Sequence, residues 1–154
     1  MQQIPLNSKT IARIAAIQTI YQYNNNPNSD INSLLMRIIE FYKDDDITED
    51  LEIGKEFKMR PSYNYLKELV KYSYDNLELI NKAIIALLDD KQSFTMMPKL
   101  LLSILQIAIC EINFFPEIPK KVVVNEYTDI ANDMLNQNEI GFVNSILDKY
   151  SNSK

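Results

Sequence analysis

Two carboxylates, Glu111 and Glu126, stand inside apolar runs, and a carboxylate pair is the least that acid–base chemistry or cation binding requires. No third group completes such a site. The chain contains no histidine, which excludes Ser-His-Asp and Cys-His nucleophiles and every His-containing metal site. Its single Cys110 cannot form an internal disulfide. The two glycines, Gly54 and Gly141, are too few for a phosphate-cradling loop or a dinucleotide fingerprint. Glu111 and Glu126 are therefore assigned to structural hydrogen bonding, Glu111 toward Asn125 or a partner's backbone. Asp44, Asp46, Thr48 and Asp50 alternate as in a calcium-binding loop. Glu49, however, stands where the sharp turn needs glycine, and Lys55 where a bidentate glutamate is needed. The stretch reads as a solvated acidic loop between helices. No enzymatic role, metal or cofactor is expected.

The cations point elsewhere. Across 154 residues the net charge is −5, but it is concentrated. Between Asp44 and Glu56, seven acids against Lys55 give −6, and the remaining 15 bases and 14 acids give +1. Asp30 is the first acid, so Lys9 and Arg13 have no negative neighbour in sequence. They stand four residues apart, a spacing that puts both on one helix face and suits neighbouring phosphates. A local basic face can form despite the overall charge, because binding follows the local field.

The elements that must position these groups are helices. Ile11, Ile14, Ala15, Gln18 and Tyr21 share a stripe that ends at the Asn-Pro run of 24–28. Ile31, Leu34, Leu35, Ile38, Ile39 and Tyr42 follow core-facing spacing from a cap at Ser29 or Asp30. From Pro61 the period runs to about Leu88, as one helix or as two broken near Asp75-Asn76. Pro98 suits the first turn of the next helix, which stops at Phe115-Pro116, and Pro119 starts another that carries Val122, Val123, Glu126, Ile130 and Met134. A final amphipathic helix from about Glu139 to Tyr150 buries Phe142, Val143, Ile146 and Leu147. No alternating segment competes, so the fold class is all-α, with six to seven helices. At this length and 46% hydrophobic content, one domain over 1–154 is expected. The most apolar run, Leu100–Cys110, is far shorter than the roughly 20 residues of a membrane span. Met1–Asn7 lacks the basic flank and apolar run of a signal peptide, so the expected compartment is the cytoplasm, with no membrane partner.

The last third is more specific than its periodicity. It contains Leu105-Gln106-Ile107-Ala108-Ile109-Cys110-Glu111, then Ile118-Pro119-Lys120-Lys121-Val122-Val123-Val124-Asn125-Glu126, then Ile130-Ala131, then Phe142-Val143-Asn144-Ser145-Ile146-Leu147-Asp148-Lys149. With Ala12-Arg13, Ala15-Ala16, Gln18 and Tyr21-Gln22 in the first helix, these blocks resemble the bacterial NusB antitermination family. The resemblance covers the first helix and nearly everything after Leu100. It implies two packed helical sub-bundles, about 8–90 and about 96–150, without catalysis. It also implies a heterodimer with the small-subunit ribosomal protein NusE that binds boxA RNA of ribosomal RNA transcripts within the RNA polymerase antitermination complex. A chain of this length has no room for the methyltransferase domain that follows the same fold elsewhere, so the stand-alone factor is expected.

Single-stranded RNA is held by cations on phosphates and by aromatic or amide side chains on bases. The resemblance places RNA contacts at the start of the first helix and at the Phe-Val-Asn start of the last. The candidates are Lys9, Arg13, Gln18, Tyr21, Phe142 and Asn144, with Lys120 and Lys121 as outlying phosphate contacts. Three departures from the family pattern bear on them: the N-terminus is not Arg-rich, Gly141 stands where a cation is common, and Gln106 replaces an arginine. Fewer phosphate contacts imply weaker binding by the chain alone and a shallower salt dependence. The partner is expected on the C-terminal bundle, around the helix of 98–115 and its contact with the one that follows. The alternative is a protein-interaction module of the same fold with little RNA affinity of its own, and a homodimer hiding the RNA face is a further expectation to test.

Overall fold

A computed structural model describes residues 7–52 and 60–153, the side chains of 45–52 excepted. Among the described residues there are seven α-helices and no strand, as the periodicity predicts. They are α1 (Ser8–Asn25), α2 (Ile31–Glu52), α3 (Tyr63–Asp75), α4 (Leu77–Leu87), α5 (Lys99–Phe114), α6 (Lys120–Met134) and α7 (Gln137–Asn152), with a 3-10 turn over Lys91–Phe94 between α4 and α5.

Local chemistry sets most of the boundaries. The Asn7 side chain caps α1 by accepting from the Thr10 amide at 2.8 Å. Asp30 rather than Ser29 caps α2, its carboxylate accepting from the Ser33 amide at 3.0 Å. The long period from Pro61 resolves into two helices at Asn76, whose side chain turns back to donate to the Tyr72 carbonyl at 2.8 Å. Pro98 and Pro119 lie immediately before α5 and α6 with ψ near 139° and 138°, so each occupies the cap rather than the first turn. α7 begins two residues before Glu139, because Asn136 and Glu139 form a capping box.

The acidic stretch departs from expectation. The reading of 44–56 as a loop is corrected by α2, which continues to Glu52. Residues 43–52 contain neither glycine nor proline to stop a helix already under way. The calcium-loop geometry considered for this stretch is incompatible with continuous helix, and residues 53–59 lie outside the described residues.

The chain divides into two compact units, Met1–Val70 and Lys71–Lys154. In the first, α1 packs on α2, and Ile11, Ala15, Ile20, Leu34, Ile38, Ile39 and Leu66 are buried. In the second, α5 packs against α4, α6 and α7, and every residue from Leu101 to Ile112 is buried. α4 carries Ile80 and Ile84 on the face it buries, and it packs on α5 and α7. No helix among the described residues is long and apolar enough to cross a membrane.

Candidate nucleic-acid interface

The first four candidate residues ride on α1, and the structure separates them into two settings. Lys9 is exposed and makes no ion pair among the described residues, its ammonium lying 5.0 Å from the centre of the Tyr65 ring. The Arg13 guanidinium lies 5.7 Å from the same ring centre. The two cations thus meet at one aromatic ring, about 40° apart around the helix. Their presentation differs: Arg13 is only 4% exposed. Arg13 is sealed because it shares a buried row with Ala16, Ile17 and Ile20.

Gln18 stands about 180° around α1 from Lys9. Its side-chain oxygen accepts from the Tyr42 hydroxyl at 2.9 Å, tying α1 to α2. Tyr21, 38% exposed, presents its ring to solvent instead of packing in the core. The contributor missed in sequence is Tyr65. It is buried one turn into α3, and only its place four residues after Pro61 in an aromatic-rich segment signalled it.

In the second unit, Phe142 and Asn144 lie on α7. Phe142 is half-buried and borders an open apolar hollow of about 380 Å³, lined also by Ser93, Met96, Met97, Pro98 and Leu101. Asn144 is exposed, and its Oδ1 lies 3.2 Å from the Thr128 hydroxyl. That hydroxyl is also 2.8 Å from the Val124 carbonyl. One hydroxyl proton cannot serve both acceptors fully, so Asn144 is loosely held. Gly141, just before Phe142 and exposed, has nothing within 4 Å of where a Cβ would stand. Lys120 and Lys121 are exposed at the start of α6.

The acids take structural places. Glu111 is fully buried and accepts from the Tyr127 hydroxyl at 2.6 Å. Tyr127 thus takes the place expected of Asn125, which is exposed. A sealed Glu111 cannot meet a substrate, and acid–base chemistry with Glu126 is excluded with it. Burial pushes the neighbouring Cys110 thiol up to about 12; the Ser73 hydroxyl opposes this and the Glu111 charge adds to it. Gln106 donates to the Asn81 side chain at 2.8 Å, a neutral hydrogen bond where an arginine would form an ion pair. No group of residues suited to hold a metal occurs among the described residues.

Comparison with known proteins bears on what these features serve. The model of the NusB family matches residues 10–152. A transcription antitermination protein NusB from Rickettsia bellii is 45% identical over 149 residues, which cover 97% of this chain and 93% of that protein. Among solved structures, NusB from T. maritima superposes with a TM-score of 0.74 at 22% identity, covering 98% of this chain and 93% of that one. A chain from a crystal structure of antitermination factors NusB and NusE in complex with dsRNA superposes with the same TM-score at 19% identity, covering 94% of this chain and 96% of its own.

Proposed function

This chain belongs to the NusB family, and from that premise we propose that it binds single-stranded boxA-type RNA of ribosomal RNA transcripts as a heterodimer with the ribosomal protein NusE. It is a transcription antitermination factor and not an enzyme. In this reading it acts in the cytoplasm, carrying the RNA and its partner to the elongating RNA polymerase. The observation that carries the RNA reading is Phe142. Its ring borders an open apolar hollow, with an exposed, loosely held amide, Asn144, on the same helix. A ring and an adjustable amide suit an unstacked base, which offers both a flat face and a hydrogen-bonding edge. A base inside a duplex offers neither freely.

Lys9 supplies an exposed cation for phosphate at the other end of the set, and Tyr21 an exposed ring. Arg13 and Gln18 act from behind, Arg13 buried at Tyr65 and Gln18 bonded to Tyr42. In this reading NusE docks on the second unit, where α6 presents the exposed row Val122, Asn125 and Asp129 beside the buried α5.

The test is fluorescence anisotropy of a labelled boxA-like strand, with and without the organism's NusE, at two salt concentrations and against its duplex as competitor. The expected result is salt-sensitive binding that needs both proteins and that the duplex competes for poorly. Absence of RNA binding under every condition, with NusE still captured, overturns the RNA reading in favour of a protein-interaction module.

A further inference from the structure

We propose that Tyr65 is a positioning residue of the RNA-binding surface, its ring holding the Lys9 ammonium and the Arg13 guanidinium in place before RNA arrives; this rests on the RNA-binding reading above. Both cations lie within the roughly 6 Å over which a ring face attracts a cation, at 5.0 and 5.7 Å from the ring centre. On α1 alone they would be like charges at i and i+4, which repel. The shared ring offsets that repulsion and narrows the range of the exposed Lys9 side chain. A lysine stem carries about 2 kcal/mol of rotamer entropy, which an incoming phosphate would otherwise have to remove.

The ring is itself enclosed. It is buried, and its distance from α1 is set by backbone bonds. The Ser62 amide donates to the Ser8 carbonyl at 3.0 Å, joining the start of α3 to the residue before Lys9. The Tyr65 amide in turn approaches the Ser62 hydroxyl at 3.4 Å. The start of α3 therefore places an aromatic face beside the first two turns of α1, and that face supplies what an Arg-rich N-terminus would otherwise supply by number. A surface with few cations gains most from having them pre-oriented.

The experiment replaces Tyr65 with phenylalanine and then with phenylalanines of increasing ring fluorination in the full-length chain. Fluorination drains the negative ring face while leaving shape and burial nearly unchanged. RNA affinity of the heterodimer with NusE is read by anisotropy, and the fold is checked by thermal melting. Tyr65→Phe is expected to bind within about twofold of the parent, because the face is kept. Affinity should then fall stepwise by up to about tenfold at full fluorination, as the cost of ordering Lys9 passes from the ring to the phosphate. Lys9→Gln should cost less in the fluorinated background than in the parent, a coupling that a merely structural role would not produce. RNA binding that ignores fluorination in a folded heterodimer overturns the positioning role alone. Absence of RNA binding in the unsubstituted heterodimer overturns the RNA reading and the positioning role with it.

Discussion

Gly141→Lys is expected to raise both stability and RNA affinity, and its magnitude can be worked from the structure. Gly141 is the fifth residue of α7, exposed, with nothing within 4 Å of a Cβ. A side chain there meets no steric cost. Glycine in a helix interior is about 1 kcal/mol worse than alanine, and lysine lies near the alanine end, so the exchange stabilises by about 0.7 kcal/mol. For a chain of this length that raises Tm by about 2 °C. The new ammonium stands one residue from Phe142 and one turn from Asn144. If this end of α7 lies on the RNA path, the variant gains one phosphate contact, worth about 0.7 in the salt slope on a single strand. Measured against Gly141→Gln, which shares the propensity gain without the charge, the lysine advantage should be about 8-fold at 50 mM salt. It should fall to about 3-fold at 200 mM. Anisotropy titrations of both heterodimers at the two salts read this directly. Equal affinities of the lysine and glutamine variants at both salts would refute the placement of RNA beside Phe142, with no ambiguity from unfolding, since both variants are stabilised.

Three further outcomes follow from the geometry. Lys9→Gln should lower Tm by no more than about 2 °C and reduce the salt slope by about 0.7, whereas Arg13→Gln should lower Tm by several degrees, because a buried guanidinium packed on Tyr65 is lost; equal effects in melting and salt titration would contradict their different burial. Tyr127→Phe removes the donor to the buried Glu111 carboxyl and should cost about 1–3 kcal/mol by urea unfolding, while the folded fraction binds RNA as before. The Cys110 thiol, with its pKa raised from 9.0 to about 12, favours the folded state fully below pH 9, and this contribution is lost as pH rises from 9 to 12. Over that window its loss amounts to about 4 kcal/mol, and Cys110→Ala should flatten the fall in stability by that order in denaturant titrations at stepped pH.

Much of the architecture was legible in the sequence because it is local. The stripe from Ile31 to Tyr42, Pro98 and Pro119 ahead of two helices, and the weak point at Asp75-Asn76 all act within a turn or two of chain. Helical periodicity registers such signals directly. The capping box at Asn136 and Glu139 was equally readable, and it moves the start of α7 back by two residues. The continuation of α2 through the acidic run was harder. Charge density suggests solvated loop, while the absence of glycine and proline permits helix, and propensity alone decides weakly between them. Which helices α4 packs against, α5 and α7, is encoded by no local pattern.

The sequence by itself determined the all-helical class, the exclusion of histidine-, disulfide- and glycine-loop chemistry, and the family blocks that carry the RNA reading. Tertiary structure alone decided how each polar side chain is presented. Arg13 and Lys9 look equivalent at i and i+4, yet one is buried and one exposed, because Arg13 continues the row of Ala16, Ile17 and Ile20 into the packed face. Glu111 finds Tyr127, sixteen residues away on α6, rather than Asn125. Tyr65 meets the two cations from more than fifty residues away in sequence, near the point where the Ser62 amide bonds the Ser8 carbonyl. Periodicity reports which side of a helix is apolar, but a polar group's role depends on which other element covers it, and that is settled only when distant segments pack.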